Sequence, residues 1–553
     1  MKTSYVFFLF LFIGAVVFSP TLTSFFYWDD FPLLCVNRYV GHPLYFFIQN
    51  YFPGGFYYRP LGMLSYWLPY QLFGLNPILH NLFSPFLHVL TTFLFYLLLR
   101  EWVDRRPFIV LCSALFFLIH PVAISTSLAS RFDLVATMFI LLTIYLFSRF
   151  LATERKGYIV CSVVSSILAI LSKEISYILP MLITLVLFTF PRRESKDRRS
   201  QWILLLSPYY LTGFFLYVIR SSFLKVASSD FFREGILASL WNGLSKWVRF
   251  MPDLFLWHAR PSMMGDFVKA FFLAWFLLIL FVVYLFLRGK KPIPWHLFLF
   301  SFGIIGMAGF LMAPVIGLST LVTTEAFSFF LIAEGRFYYL ALLGCLIFLS
   351  SSLSLLFELI GYRKLSRIYF ALVFSAFLFI AFSYFLSSFS LGQKWRELTN
   401  GEERRLVELA VKAVYESPAV DAGSKIYFLN TQMHSHFREF GDGMLKSIAP
   451  KGSKFIHCLF FTEKPPWYNF VLREDIHKIE MQPLLNTSGG KDLFPSVVGD
   501  LAYFYCNFPK GDEIVRDEKA IFFEFLPEEK RFVDVTESVR SGIKKVRFFN
   551  DRP

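Results

Sequence analysis

The sequence predicts an all-α polytopic membrane protein of about eleven transmembrane helices, with a small C-terminal α/β extracytoplasmic domain. Three observations predict it. Of 553 residues, 56% are hydrophobic and 20% aromatic, and 72 are Phe, far beyond a soluble core's need. Apolar runs near ~20 residues, enough to cross a bilayer core as a helix, recur from the N-terminus to about residue 390. Past that point the chain turns polar, so the expected organisation is a membrane part at 1–391 and an outer α/β part at 392–553. The net charge of +14 sits largely in short loops between apolar runs. Membrane topology accounts for it before nucleic acid does.

The first helix is expected at about 5–25, and Lys2 with no A-x-A-like site behind it predicts that it is not cleaved. A long aromatic, Pro- and Gly-bearing segment at 26–80 reads as a structured loop on the membrane surface. Helices two to seven are expected at about 81–99, 107–120, 133–150, 158–172, 175–190 and 202–220, with a turn from His120 to Arg131. Within a second long loop, 221–266, the apolar positions of 237–251 recur at helical spacing and predict an interfacial amphipathic helix. Helices eight to eleven follow at about 267–287, 293–313, 337–357 and 368–390.

The loops after helices two, four, six, eight and ten carry the Arg and Lys clusters, which places them in the cytoplasm. The alternate loops then face outward, and Asp29, Asp30, Asp133, Glu174 and Glu334 fall at or near that face. By the same parity the tail is outside. It carries helical spacing over 395–414 and strand-like runs at 425–429, 455–461, 468–472, 521–526 and 531–535. Cys112, Cys161 and Cys345 lie in apolar runs and read as packing residues; Cys458 and Cys506 could pair in an oxidising compartment.

The centre of the pattern is Tyr27-Trp28-Asp29-Asp30, two carboxylates at the mouth of an uncharged helix. Carboxylates there face water or a polar cavity rather than lipid. A carboxylate such as Asp29 can take a proton from an attacking hydroxyl, and cations such as Arg131, Lys173 or Arg336 can stabilise a leaving phosphate. Adjacent Asp29 and Asp30 could also hold Mg²⁺ or Mn²⁺. Together these groups suit transfer of an activated group from a membrane-bound donor.

The ordered motifs are Trp28-Asp29-Asp30-Phe31, Tyr58-Arg59-Pro60-Leu61, Leu79-His80-Asn81 with His88, His120-Pro121-Val122, Arg131-Phe132-Asp133-Leu134, Leu171-Ser172-Lys173-Glu174 and Glu334-Gly335-Arg336-Phe337-Tyr338-Tyr339-Leu340. In this order they resemble the GT-C superfamily of membrane glycosyltransferases, nearest to protein O-mannosyltransferases, TMTC-type proteins and their bacterial relatives. The resemblance implies a polyprenyl-phosphate sugar as donor and a protein, lipid or glycan as acceptor. It implies Asp29 as general base with Asp30 supporting it, and direct displacement that inverts the anomeric carbon. Arg59, His80, His120, Arg131, Lys173, Glu174, Glu334 and Arg336 are the implied donor-phosphate and substrate residues. Two departures stand out: the family's Glu after the His-Pro pair is replaced near Ser125, and the tail has no tetratricopeptide repeats. The compact tail points to a bacterial inner membrane. Competing readings are a transporter or lipid flippase, and an inactive relative whose tail is a binding module. A transporter should show charges near helix centres, whereas here polar groups crowd one face.

Overall fold

The computed structural model describes residues 2–26, 33, 37, 42–48, 58–74, 76–103, 107–189, 199–223, 300–301, 303–305, 338–359, 363–420, 424–429, 457–460, 518–526 and 528–543. The amphipathic stretch 237–251, helix eight, most of helix nine, the run 468–472, Cys506 and the candidates Asp29, Asp30, Glu334 and Arg336 lie outside the described residues.

The described chain is mostly helical. Its membrane part is built from α1 (Thr3–Leu22), α2 (Pro60–Phe73), α3 (Pro77–Trp102), α4 (Pro107–Ile119), α5 (Pro121–Ala129), α6 (Arg131–Thr153), α7 (Lys156–Ser172), α8 (Leu179–Thr189), α9 (Arg199–Phe223), α10 (Tyr339–Leu359) and α11 (Arg363–Asn400). A short 3-10 turn, Glu174–Ile178, leads into α8. Among the described residues four helices are long and apolar enough to cross a membrane, or five if the pair α4 and α5, bent by 44°, counts as one. Helices α2 to α5 each begin on Pro, whose fixed φ suits a first turn and whose missing N–H would have had no helical partner there.

Contacts at the two ends set the directions. Thr3 accepts from Arg100 at one end, while Asn81 donates to the Thr21 and Ser24 carbonyls at the other, so α1 and α3 are antiparallel. Arg131 lies beside His80, and Arg149 pairs with Glu101 at 2.6 Å, so α6 runs parallel to α3. Lipid gives apolar helices little reason to associate, so close packing and buried hydrogen bonds must hold them. Gly14 lets α1 close on Val89, where an added Cβ would come within 2.7 Å. Ser350 donates to Ser113 at 2.6 Å and Tyr209 to Ser162 at 2.7 Å, both across helices. His88 Nε2 lies 3.1 Å from the Leu118 carbonyl, which can only accept, so Nδ1 accepts from the Tyr339 hydroxyl. Cys112 and Cys345 are buried as expected, but Cys161 is exposed on α7.

Several expectations are corrected. The 26–80 segment is not all loop, since α2 occupies Pro60–Phe73. The turn from His120 to Arg131 is the nine-residue helix α5, capped by His120 Nδ1 accepting from the Val122 N–H at 3.1 Å. Helix eleven is longer than expected: α11 has 38 residues, about 57 Å at 1.5 Å per residue, against a hydrocarbon core of about 30 Å. The 391/392 boundary falls inside it.

After Gly401 the chain continues as α12 (Glu402–Glu416) and a four-stranded sheet. The strands are β1 (Lys425–Leu429), β2 (His457–Phe460), β3 (Ala520–Leu526) and β4 (Arg531–Asp534), in the order β2-β1-β3-β4. The first three are parallel and β4 is an antiparallel edge. Four of the expected strand runs appear; a final short helix, α13 (Thr536–Arg540), follows β4.

Candidate functional site

One end of the bundle gathers the start of α2, α3 and α6, the end of α7 and the end of α9. Arg59, the residue before Pro60, reaches across to the 3-10 turn and pairs with Glu174, Nη2 to Oε2 at 2.7 Å and Nε to both oxygens at 2.9–3.0 Å. Arg220 from the end of α9 holds the same carboxylate at 3.3 Å. Glu174 is 24% exposed. Burial alone would raise its pKa, but the two guanidiniums and their hydrogen bonds outweigh that and hold it below the usual carboxylate range. Glu174 is thus ionised at neutral pH, and the trio keeps one positive charge in excess.

A lowered folded pKa means stability that is present above the unfolded value, about 4.3, and lost as pH falls through the folded one. The melting-temperature gap between wild type and Glu174→Gln is therefore full at neutral pH and closes in acid. A gap independent of pH would contradict this pairing.

Beside Glu174, Lys173 Nζ pairs with Asp133 Oδ2 at 2.5 Å, with side chains only 8% and 5% exposed. This pair ties the end of α7 to the first turn of α6. Between the two ion clusters lies the Phe132 ring, with the Arg59 guanidinium 5.2 Å from its centroid and Tyr66 5.3 Å away. The junction requires a glycine on α2. An added Cβ at Gly62 would overlap the Phe132 ring and come within 2.8 Å of the Ser172 carbonyl. We expect Gly62→Ala to cost about 1–3 kcal/mol by overpacking, read as a lower thermal midpoint in detergent; an unchanged midpoint would mean that α2 is not seated there.

Arg131 is 6% exposed. It donates to Ser84 Oγ at 2.9 Å, to the His80 carbonyl at 2.7 Å and, more weakly, to the Ser65 carbonyl at 3.4 Å. Its guanidinium lies 4.7 Å from the Tyr66 ring centroid. It borders a polar cavity of about 20 Å³ shared with Thr21, Asn81 and Trp395, room for about one water. Arg131 thus fastens α2, α3 and α6 to one another. His80 Nε2–H donates to the Gly74 carbonyl at 2.7 Å and closes the link between α2 and α3. His120 uses Nδ1 for its cap and stands edge-on to Tyr384 at 4.6 Å. Ser125 is fully buried in α5.

The described residues that flank the 27–32 stretch pack at this same end. Phe26, before it, is 3% exposed and meets the His80 ring edge-on at 5.3 Å. Leu33, after it, is 1% exposed and packs in one cluster with Met63, Tyr66 and Phe132.

Of the sequence candidates, Arg59, His80, Arg131, Lys173 and Glu174 are brought together, and His120 sits at the nearby α4–α5 bend. Arg220 and Gly62 were missed. Arg220 was read only as the edge of helix seven; its cation at an outward helix end was the available signal. Among the described residues no three His, Cys, Asp or Glu side chains lie close enough to share a metal.

Comparison with known proteins bears on this same region. Residues 59–218 match the family described as dolichyl-phosphate-mannose-protein mannosyltransferase. Protein O-mannosyl-transferase Tmtc1 of Drosophila melanogaster is 28% identical over 171 residues, 29% of this chain; the match spans only 20% of that protein's length. Two solved structures are among those to which the chain is similar. One is ArnT of Cupriavidus metallidurans bound to undecaprenyl phosphate: TM-score 0.42, 14% identity, 81% of this chain and 86% of that one. The other is the oligosaccharyltransferase AglB of Archaeoglobus fulgidus with an inhibitory peptide and a dolichol-phosphate: TM-score 0.43, 14% identity, 82% and 64%. Through the segment that begins at Arg59 and ends beside Arg220, this membrane protein resembles the protein O-mannosyltransferases of the GT-C superfamily.

Proposed function

We propose that the chain moves a sugar from a polyprenyl-phosphate donor to an acceptor hydroxyl at the outer membrane face, with inversion. The observation that carries this reading is the end of the bundle where, among the described residues, four cations (Arg59, Arg131, Lys173, Arg220) gather with two carboxylates (Asp133, Glu174), next to Phe26 and Leu33. Several cations in a site that also carries a carboxylate base suit chemistry in which a base and a phosphate must coexist.

In this mechanism Asp29 takes the acceptor's hydroxyl proton, with Asp30 orienting it. The oxygen attacks the anomeric carbon as the bond to the phosphate oxygen breaks, and that oxygen leaves with the electron pair. The negative charge gained by the phosphate is met by the guanidiniums of Arg59 and Arg220, with Arg336. Lys173, Arg131 and His80 hold the frame, and Glu334 orients Arg336. If Mg²⁺ or Mn²⁺ takes part, Asp29 and Asp30 are the residues to hold it, where it would add positive charge beside the phosphate.

An apolar cavity of about 390 Å³ runs between α1 and α3, lined by Leu11, Gly14, Ala15, Leu82, Phe86 and Val89. It suits a hydrocarbon chain, and it shares Phe18 and Pro85 with the polar cavity at Arg131. A transporter is less well supported, because the buried contacts of His88 with Tyr339 and of Ser113 with Ser350, among the described residues, are between side chains without an ion pair. The proposed setting is a bacterial inner membrane, with the C-terminal residues outside the cytoplasm and a protein, lipid or glycan as acceptor.

The test supplies polyprenyl-phosphate-linked labelled sugars to purified protein with membrane extract as acceptor source, and assigns the product's anomeric configuration by NMR. Transfer with inversion supports the reading. Retention would refute direct displacement, and movement of intact lipid-linked sugar across proteoliposomes without transfer would favour a flippase.

A further inference from the structure

Three charged side chains are buried in the membrane part among the described residues: Arg131, Asp133 and Lys173. Asp133 and Lys173 neutralise each other. Arg131, 6% exposed, forms no ion pair among the described residues. Its partners are neutral: Ser84 Oγ, the His80 and Ser65 carbonyls and the face of the Tyr66 ring. They satisfy hydrogen bonds but carry no countercharge, and a buried cation without one is costly. A guanidinium presents five N–H donors. Nε is used on Ser84, one N–H of Nη1 on Ser65 and one of Nη2 on His80, so each terminal nitrogen keeps one in hand. The Ser84 hydroxyl accepts from Nε and gives its own proton to no acceptor among the described residues.

Arg131 and Ser84 both line the small polar cavity where α1 (Thr21), α2 (Tyr66), α3 (Asn81), α5 (Ser127) and α11 (Trp395) meet. Among the described residues no carboxylate lines it. Its volume of about 20 Å³ admits one water-sized body, and a phosphate with its four oxygens does not fit. We propose that this cavity binds a single chloride ion, or another halide of similar size, as the countercharge of Arg131. The ion accepts from the Arg131 guanidinium and from the Ser84 hydroxyl. A water there fills the space and leaves the charge standing, whereas a halide fills the space and neutralises it. Bound at a point where several helices meet, the ion draws them onto Arg131. The site does not depend on the glycosyltransferase reading, and its size keeps it apart from any donor phosphate.

The experiment uses the full chain, purified in detergent in halide-free gluconate buffer. Chloride, bromide or sulfate is then titrated in at constant ionic strength, and the thermal midpoint is read. The expected result is a saturable rise with chloride and bromide and none with sulfate, since only an ion that binds the folded state shifts its stability by mass action. Ser84→Ala, which removes one hydrogen bond to a charged partner, raises the half-saturating halide concentration by roughly tenfold or more. Ser84→Asp sets a carboxylate beside Arg131 in the ion's stead. Its midpoint no longer responds to halide and equals or exceeds that of halide-loaded wild type. If Ser84→Asp does not fold, the anion selectivity and the Ser84→Ala shift decide. A wild-type midpoint indifferent to the choice of anion would overturn the proposal, leaving a water in the cavity. A halide response unchanged by Ser84→Ala would overturn it too, by placing the ion elsewhere.

Discussion

Asp29→Asn lowers sugar transfer by roughly 10²–10⁴-fold, the range that a positioned general base contributes. The substitution keeps size and hydrogen-bonding shape but cannot accept the acceptor's proton. Donor KM should change little, because the phosphate is assigned to Arg59, Arg220 and Arg336. Asp30→Asn, one residue on, should give a smaller loss in kcat. A larger loss for Asp30→Asn would exchange the two roles, and full activity in both would remove the base from this stretch.

The second large effect is on stability. Lys173 and Asp133 form the most enclosed ion pair among the described residues, at 8% and 5% exposure. Removing Lys173 leaves the Asp133 carboxylate buried without this cation, and breaking such a pair costs about 3–5 kcal/mol. Asp133→Asn and Lys173→Met should each lower the thermal midpoint markedly. The double replacement Lys173→Met with Asp133→Leu should recover most of that loss, since a well-packed apolar pair often matches a buried ion pair. This also separates two roles for Lys173. If it only ties α7 to α6, the double variant regains donor KM together with stability. If it touches the phosphate, stability returns and KM stays raised. Equal stability of the single variants and wild type would mean that the pair is not buried as described.

How much of this was legible beforehand differed by kind of signal. Long apolar runs marked α1, α3, α6, α9 and α10, because a membrane helix is set by composition and length. Helix α2 was not seen: Gly62, Pro69 and many aromatics made Pro60–Phe73 look like loop. Pro60 at its first position and Gly74 just past its end were the signals available. The bend α4–α5 was taken for a turn because Pro121 follows His120, although Pro also starts helices. The change to polar composition near residue 392 was taken for a domain boundary, yet α11 continues to Asn400. Leaving the bilayer changes which side chains are tolerated, not the backbone's helical bonds.

At the site, loop parity put Asp133 and Glu174 at one face, while Arg59 entered only through the resemblance. Their pairing was not legible. Glu174 could have belonged to Lys173 beside it, and instead takes Arg59 and Arg220, while Lys173 turns to Asp133. Neighbours along a chain leaving a helix point in different directions, and only the packed structure resolves which partner each meets. Phe26 was hidden for another reason: an apolar residue at the end of an apolar helix carries no mark of the core it will enter.

The account depends most on the Arg59–Glu174–Arg220 end and the tail facing away from the cytoplasm together. A background lacking the six native cysteines, with single cysteines at Lys412 in α12 or Arg155 at the opposite end of the bundle, tests this in sealed right-side-out vesicles with a membrane-impermeant maleimide. The prediction is that Lys412→Cys labels in intact vesicles and Arg155→Cys only after permeabilisation. Labelling of Arg155→Cys from outside, with Lys412→Cys protected, would contradict it.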